Sequence, residues 1–559
     1  MAAARDAAAL NACTAAQITA QDASCPASGA CTITKDFVVA NGCVLDFGTR
    51  AVTIAASGKL DIGNGLVRLL AGSLTMAPGA FIDGRGNGAG EPANAGGMMQ
   101  IQTTGAVNLQ RSGSTNGRID VSANAVTGTI EINAGGSITI AGKLNADNLV
   151  PEASGGTIRL ISKGDITAPA GSVITATAGV LSGSPGTIDV QADGNVDLNP
   201  NLEITGSDGG GAEIYAGGSI TVRGINVNGP GDAGSGGTVT LSAGLGVQVL
   251  GQILARGTDS GTLSGGGDGG LVEISADFGD ILIAEDIFAE GADPDGGGGE
   301  IDVLARGNLT VQSTAIISSR ANGPEGDGGE IVLDGLNVNV SGRIDVSGGA
   351  GGGEIDVTAS KDMTIGALLD ARGRDFGSLG GIVILDGAVS AAGTLTINAA
   401  IDAGGGACGD LLGCGSAGSV SVLGCTITVG ALGTIDARAP AGGQVDFSAR
   451  KALAINGPVD ASRTSVSGTE GTVAILHLAG APPTGSGLVS PAPSLVSLPA
   501  CTSIGQTGCL LPCPVCGNGA LEFPETCDTS GTPVGCDGCS SFCQTENCDD
   551  GLFCTSDQC

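Results

Sequence analysis

The stretch Gly352-Gly353-Glu354-Ile355-Asp356-Val357-Thr358-Ala359, followed by Met363-Thr364-Ile365 and Leu369-Asp370-Ala371-Arg372, alternates apolar and polar residues in three short runs separated by Gly, Asp and Lys turns. Period two identifies strand, because successive strand side chains face opposite sides, whereas a helix needs apolar residues three and four apart. Ile355, Val357, Ala359, Met363, Ile365, Leu369 and Ala371 are predicted to point inward, and Asp356, Thr358, Thr364 and Asp370 outward. The unit at Gly298 repeats the inward set as Ile301, Val303, Ala305, Leu309 and Val311.

The same opening recurs as GGMMQI at Gly96, GTIEI at Gly128, GGTIRL at Gly155, GTIDV at Gly186, GAEIYA at Gly211, GGTVTL at Gly236 and GGLVEI at Gly269. It continues as GGEIDV at Gly298, GGEIVL at Gly328, GGEIDV at Gly352, GGIVIL at Gly380, GSVSVL at Gly418, GGQVDF at Gly442 and GTVAIL at Gly471. A repeat of about 29 residues lies where solenoids are expected. Three strands per unit, each paired with its counterpart in the next, predict an all-β, right-handed parallel β-helix in which like side chains stack. Hexapeptide helices and calcium β-rolls need shorter and stricter periods, and propeller blades longer ones. The insertions Asp259 to Asp268 and Ala403 to Gly418 are assigned to turns.

Composition agrees with a chain of tight turns and small inner side chains. Of 559 residues 102 are Gly, with one Tyr, one His and no Trp, and the glycines recur at intervals instead of forming a tract. The balance of 23 basic against 56 acidic residues, a formal charge of −33, repels phosphate backbones and anionic membranes. Nucleic acid is excluded as a partner on that ground. No apolar run reaches the roughly 18 to 20 residues of a membrane span.

The chain divides into four segments. Residues 1–45 are read as a cap over the open solenoid end, with Ala2 to Gln17 as a helix and two disulfides among Cys13, Cys25, Cys31 and Cys43, three connectivities being open. Residues 46–480 form the solenoid, with less regular coils already in Cys31 to Arg85. Residues 481–500, rich in Pro, Ser and Gly and without charge, read as a linker. Residues 501–559 form a small disulfide-rich module that stops on the last cysteine of a motif, as a fragment of a longer protein would.

All 18 cysteines are disulfide candidates: Cys13, Cys25, Cys31, Cys43, Cys408, Cys414, Cys425, Cys501, Cys509, Cys513, Cys516, Cys527, Cys536, Cys539, Cys543, Cys548, Cys554 and Cys559. Cys513-Pro-Val-Cys516 and Cys536-Asp-Gly-Cys539 match the spacing of a zinc site. Against zinc, residues 501–559 hold eight acidic residues and no Lys or Arg, and seven further cysteines would be left idle. The three mid-chain cysteines and the eleven C-terminal ones are both odd sets, so one bridge joins the module to the solenoid or a partner lies beyond Cys559. Cysteine density at both ends predicts an oxidising compartment and an extracellular or cell-surface protein, although Met1 to Ala20 lacks the apolar core of a secretory signal.

The repeat resembles the right-handed β-helices of filamentous haemagglutinin-like adhesins and autotransporter passenger domains over roughly residues 45 to 480. That resemblance implies a fold and transfers no active site, since β-helices also carry polysaccharide lyases and phage tailspikes. Cys516-Gly-Asn-Gly519, Glu522, Glu525, Cys527-Asp528 and Asp537-Gly-Cys-Ser540 with Cys543 are similar to the Myxococcus-type cysteine-rich repeat. Pro524, Thr529 and an extra Cys536 depart from it, which leaves the pairing open. Cys548 to Cys559 resembles the C-T-x-D-C repeat of slime-mould matrix proteins. Both resemblances imply an extracellular setting and no catalytic activity.

The candidate chemistry is a recurring Asp and Arg at the third strand: Asp83 and Arg85, Asp370 and Arg372, Asp436 and Arg438, Asp460 and Arg463. Lyases on this fold use acid clusters with a basic residue, but a catalyst needs one unique constellation, and these recur. They are read as a ladder of solvated charges. His477 has no second His and no Ser or Cys partner, so it is read as a packed histidine. Acidic turns at Gly206, Asp293 and Asn322 could offer oxygens to calcium but suit hydrated Gly and Asp turns equally. No catalytic, cofactor or metal residue is assigned. The expected function is an adhesin or binding rod touching cells, matrix or glycans at many points, with a polysaccharide lyase or hydrolase, or a spacer presenting the cysteine-rich module, as the alternatives. The inward and outward assignment predicts that Ile365→Asp costs several kcal/mol, an unpaired charge being buried, while Asp370→Asn matters little. Circular dichroism melts of the two variants check it, and equal stability would refute the assignment.

Overall fold

A computed structural model describes residues 9–85, 95–148, 150, 152–259, 265–387, 393–409, 414–502, 506–510 and 513. Two compact units divide the chain, Met1–Val272 and Glu273–Cys559, and each is a parallel β-solenoid.

In the first unit, Thr157–Ser162, Ile166–Ala168 and Val173–Thr175 make one coil, pairing in parallel with Thr187–Ala192, Val196–Leu198 and Leu202–Glu203 of the next. Register is strict: Ile158 lies against Ile188, Leu160 against Val190 and Ile174 against Leu202, all buried. Each such side chain contributes about 1.5–3 kcal/mol relative to exposure. A single coil has no inner partner, so this accrues only through neighbours.

The second unit begins its coils at Glu300, Glu330, Glu354, Ile382, Ser419, Gln444 and Thr472. Ile355, Val357, Ala359, Met363, Ile365, Leu369 and Ala371 are fully buried, as are Ile301, Leu309 and Val311, with Val303 and Ala305 nearly so. Asp356, Thr358 and Thr364 lie half-exposed on the outer face. Asp370 does not: it has no accessible surface. It leaves the strand on the outward side, but the turn after it and the flanking arginines cover it.

The glycine pairs are explained by the corner between third and first strands. A Cβ on Gly381 would meet the carbonyl oxygen of Gly353 one coil below, and the Ala371 carbonyl at 2.8 Å. One on Gly380 would strike the Ala403 carbonyl. The obstacles are backbone and cannot rotate away.

Both ends depart from the sequence reading. Leu10–Thr14 is a strand, paired with Asp36–Asp46, and the helix is Ala15–Gln21, not Ala2 to Gln17, whose first seven residues lie outside the described ones. Thr14 and Gln17 form a capping box, with Gln17 N–H donating to Thr14 Oγ1 and Thr14 N–H to Gln17 Oε1. Ala12, four per cent exposed, turns inward at a place where alanine content alone suggested helix. Cys31–Ile33 and Asp36–Asp46 are coil strands, as the reading of less regular coils from Cys31 expected, although the cap was drawn to residue 45. The span read as a linker adds a layer: Val489–Ser490 pairs with Val459–Asp460 and Ser494–Leu498 with Thr472–Leu478. Ser494–Leu498 pairs through its backbone although SLVSL does not alternate strictly and every residue but Leu498 is exposed. Among the described residues no further coil stacks on this layer, and Leu488 and Leu495 stay exposed.

Gly381→Ala is expected to lose about 1–3 kcal/mol through backbone overpacking. Gly366→Ala, whose Cβ would find nothing nearer than 3.4 Å, should be silent. Denaturant midpoints compare them.

Candidate functional site

The recurring Asp of the third strand ends that strand by a common device. Its side chain accepts a hydrogen bond from the backbone N–H two residues on: Asp345 from Ser347 at 3.0 Å, Asp402 from Gly404 at 2.9 Å, Asp436 from Arg438 at 3.0 Å and Asp460 from Ser462 at 3.0 Å. Asp83, Asp120 and Asn145 in the first unit do the same. This Asx turn bends the chain out of the strand, which accounts for the residue type without chemistry.

Strand pairing stacks Asp345, Asp370, Asp402, Asp436 and Asp460 in consecutive register. Guanidinium groups interleave. Arg343 reaches both Asp345 and Asp370 at 2.9 Å, Arg372 reaches Asp370 at 3.3 Å and Asp402 at 3.5 Å, and Arg438 reaches Asp436 at 2.6 Å and Asp460 at 3.8 Å. The charges read as solvated are therefore an ion-pair column that is covered at Asp345 and Asp370 and partly open to water at Asp402, Asp436, Asp460 and the arginines. Arg463 turns away to Glu470 at 3.1 Å, so the fourth Asp and Arg pair of the sequence is not a pair. In the first unit Asp83, five per cent exposed, is held by Lys59 and Arg85, each at 2.8 Å.

Protonation follows geometry. Burial pushes the Asp370 carboxyl up, and Asp345 and Asp402 add to that against Arg372 and Arg343. Burial likewise raises Asp402, against the Gly404 N–H. At Asp83 burial acts the same way, but the hydrogen bonds from Arg85 and Lys59 outweigh it and the carboxyl falls below its ordinary range.

A second acidic column runs along the outer face of the first strands, where Glu300, Glu330 and Glu354 stack in register. Asp302, Glu330, Asp334, Asp356 and Asp386 are all raised, first by burial and, except at Asp386, also by neighbouring carboxylates. Alternation predicted these residues outward, but the register that makes a column of like charges was not legible from one unit.

His477 is eight per cent exposed and its Nδ1 lies 3.1 Å from its neighbour's carbonyl, Leu478 O. A shallow groove of about 430 Å³ runs between first-strand corners, lined by Gly418, Ser419, Gln444, Glu470 and Thr472. Its single carboxylate, Glu470, is already engaged by Arg463. Among the described residues no three His, Cys, Asp or Glu come together to hold a metal, and no helix is long and apolar enough to cross a membrane.

Ten cysteines are joined as Cys13–Cys43, Cys25–Cys31, Cys408–Cys414, Cys425–Cys513 and Cys501–Cys509. Cys513 is thus bound to a buried cysteine of the solenoid and is not paired with Cys516 around zinc. Cys516, Cys527, Cys536, Cys539, Cys543, Cys548, Cys554 and Cys559, with both repeat-like motifs, lie outside the described residues.

No family model matches the chain, and no curated protein does. Among solved structures, the HMW1 secretion domain from Haemophilus influenzae is similar over 74% of this chain and 86% of its own, at 15% identity and a TM-score of 0.25. The strand register, not that likeness, establishes the solenoid.

Groups raised in the folded state bind protons more tightly there than when unfolded, so their contribution is greatest below the ordinary carboxylate range and is lost as pH rises through their folded values. Lowering the pH from 7 to about 5 is expected to stabilise the second unit. Asp83, and Asp22, whose backbone hydrogen bonds from Thr34, Ser24 and Lys35 overcome burial, work oppositely, and the first unit should weaken below about pH 4. Hydrogen exchange across that range separates the units. Asp370→Asn, keeping the turn acceptor and removing a disfavoured charge, should flatten the gain on acidification.

Proposed function

We propose that the protein is an exported, cell-surface or extracellular protein that acts as an adhesin-like binding or structural surface, without a chemical step. The single observation that supports this most is that the outward position of the second strand stays polar from coil to coil, with Thr310, Asn339, Thr364, Thr396 and Thr428 in consecutive register, so that one contact made there is offered again on the next strand, roughly 4.8 Å away. Repetition of weak contacts yields avidity without any new interaction. A catalyst has the opposite need, one tuned constellation, and the recurring Asp is occupied by its turn and its arginines. Five disulfides support an oxidising compartment. The resemblance of the repeat to filamentous haemagglutinin-like adhesins points the same way.

Immobilised protein is expected to retain cells, matrix components or polysaccharides while releasing no reducing ends or unsaturated products from acidic or neutral polysaccharides. Product formation that tracks the purified protein would overturn the reading in favour of a lyase or hydrolase.

A further inference from the structure

The third strands of the first unit carry an unusual row. Lys59 lies in register with Phe81, Phe81 with Arg118, and Arg118 with Lys143, before the row ends at Val173. Phe81 is nearly covered, with the Arg118 guanidinium 3.8 Å from its ring centroid, Arg85 at 5.1 Å and Lys59 at 5.5 Å. Lys59 and Arg85 are spent on Asp83. Arg118 and Lys143 have no ion pair among the described residues, although both are half-buried and only one strand apart. Elsewhere in this acidic chain cations of the same strand position are taken up, as Arg343 is by Asp345 and Asp370.

We propose that Arg118, seated on Phe81, and Lys143, beside it on the next strand, form a binding site for the carboxylate or sulfate group of an acidic polysaccharide. The ring holds the guanidinium flat, which preserves its fork of donors for a planar or tetrahedral oxyanion and reduces the entropy lost on binding. Lys143 adds a second donor on the adjacent strand, and an anion between them relieves their mutual repulsion. The next outward position along the strands, Asn145 and Thr175, is closed by hydrogen bonds within the fold to Asp120 and Asp147, so the site presents its two cations and no further polar row. Asp61, Asp83 and Asp120 lie two positions further along these strands, and Asp83 is already paired with Lys59 and Arg85. The saccharide carrier rests on the surface-contact reading above, whereas the oxyanion site rests on geometry alone.

Calorimetry on the full chain uses a sulfated galactan oligosaccharide, its desulfated form, an oligogalacturonate and inorganic sulfate. Saturable binding of an acidic oligosaccharide, absent for the desulfated one and weakened tenfold or more in Arg118→Gln/Lys143→Gln, is expected, with a denaturation midpoint no lower than the parent's. Lys361→Gln, in the other unit, should bind as the parent does. No acidic oligosaccharide binding, binding indifferent to the double substitution, or binding of inorganic sulfate alone would overturn the proposal. Cell or matrix retention by the double variant tests the function separately: retention kept while oligosaccharide binding is lost leaves the adhesin-like reading standing.

Discussion

Everything in this fold depends on adjacent coils approaching closely enough at their corners for three strands at once to keep parallel register. Strand spacing is set by the hydrogen-bond ladder, and at the corner where a third strand ends and a first strand begins the backbone must pass against the backbone of the coil below. Only glycine permits that at positions such as Gly353, Gly381 and Gly418, each of which would direct a Cβ at the carbonyl of the equivalent glycine one coil earlier. The corner glycines are thus the structural cause of the repeat that the sequence displays. Once the corners close, Ile, Val and Leu stack on like residues, and a core of interchangeable small aliphatics suffices with few aromatics.

That causal order determines what could be read in advance. Period two in one coil placed Ile355, Val357, Met363 and Ile365 correctly, because inward orientation is a property of the strand alone. Outward orientation is not the same as exposure. Asp370 points away from the core, yet its covering comes from Arg343 one coil away and from the turn after it, neither visible in its own alternation. Composition misled at both ends. Alanine richness concealed the strand Leu10–Thr14, whereas the Thr14 and Gln17 spacing marked the true helix start. Pro and Ser around 481–500 concealed Ser494–Leu498, a strand that joins the ladder through its backbone while all its side chains but Leu498 stay exposed. Counting cysteines anticipated two disulfides among the first four and, as one of two alternatives, a bridge from module to solenoid, but not which partners meet, since Cys425 reaches Cys513 across 88 residues.

In-register stacking also controls the electrostatics. A charged residue that is harmless once becomes a column when the coil repeats it, and the two columns of the second unit resolve the resulting repulsion differently. On the third strands arginines enter between the carboxylates, yet burial still raises Asp370 and Asp402, while on the first strands burial raises Glu330 and Asp356 and neighbouring carboxylates add to it. Water screens the latter face well enough for it to persist. The turn acceptor role of the third-strand Asp explains why that column cannot be replaced by neutral apolar residues, even though burial disfavours its charge: the backbone N–H it accepts from would be left without its partner.

The ends of such a stack are a different problem, because a solenoid has no intrinsic stopping point and each terminal coil presents unpaired backbone. At the start, Leu10–Thr14 occupies the edge of Asp36–Asp46 and Cys13–Cys43 ties it there, while Cys25–Cys31 links the segment after the helix to the next strand. Near the other end the closing device is looser in composition but similar in logic. Ser494–Leu498 extends the ladder, Cys501–Cys509 makes the chain turn back, and Cys425–Cys513 anchors the start of the cysteine-rich segment to a coil strand. A cross-link between residues far apart in sequence removes more unfolded-state freedom than one between near neighbours, so the long Cys425–Cys513 loop is well placed to oppose fraying where neighbour contacts have run out. Apart from Cys408–Cys414, which joins two residues of an inserted turn, the disulfides therefore belong to the architecture of the ends, just as glycine belongs to its corners.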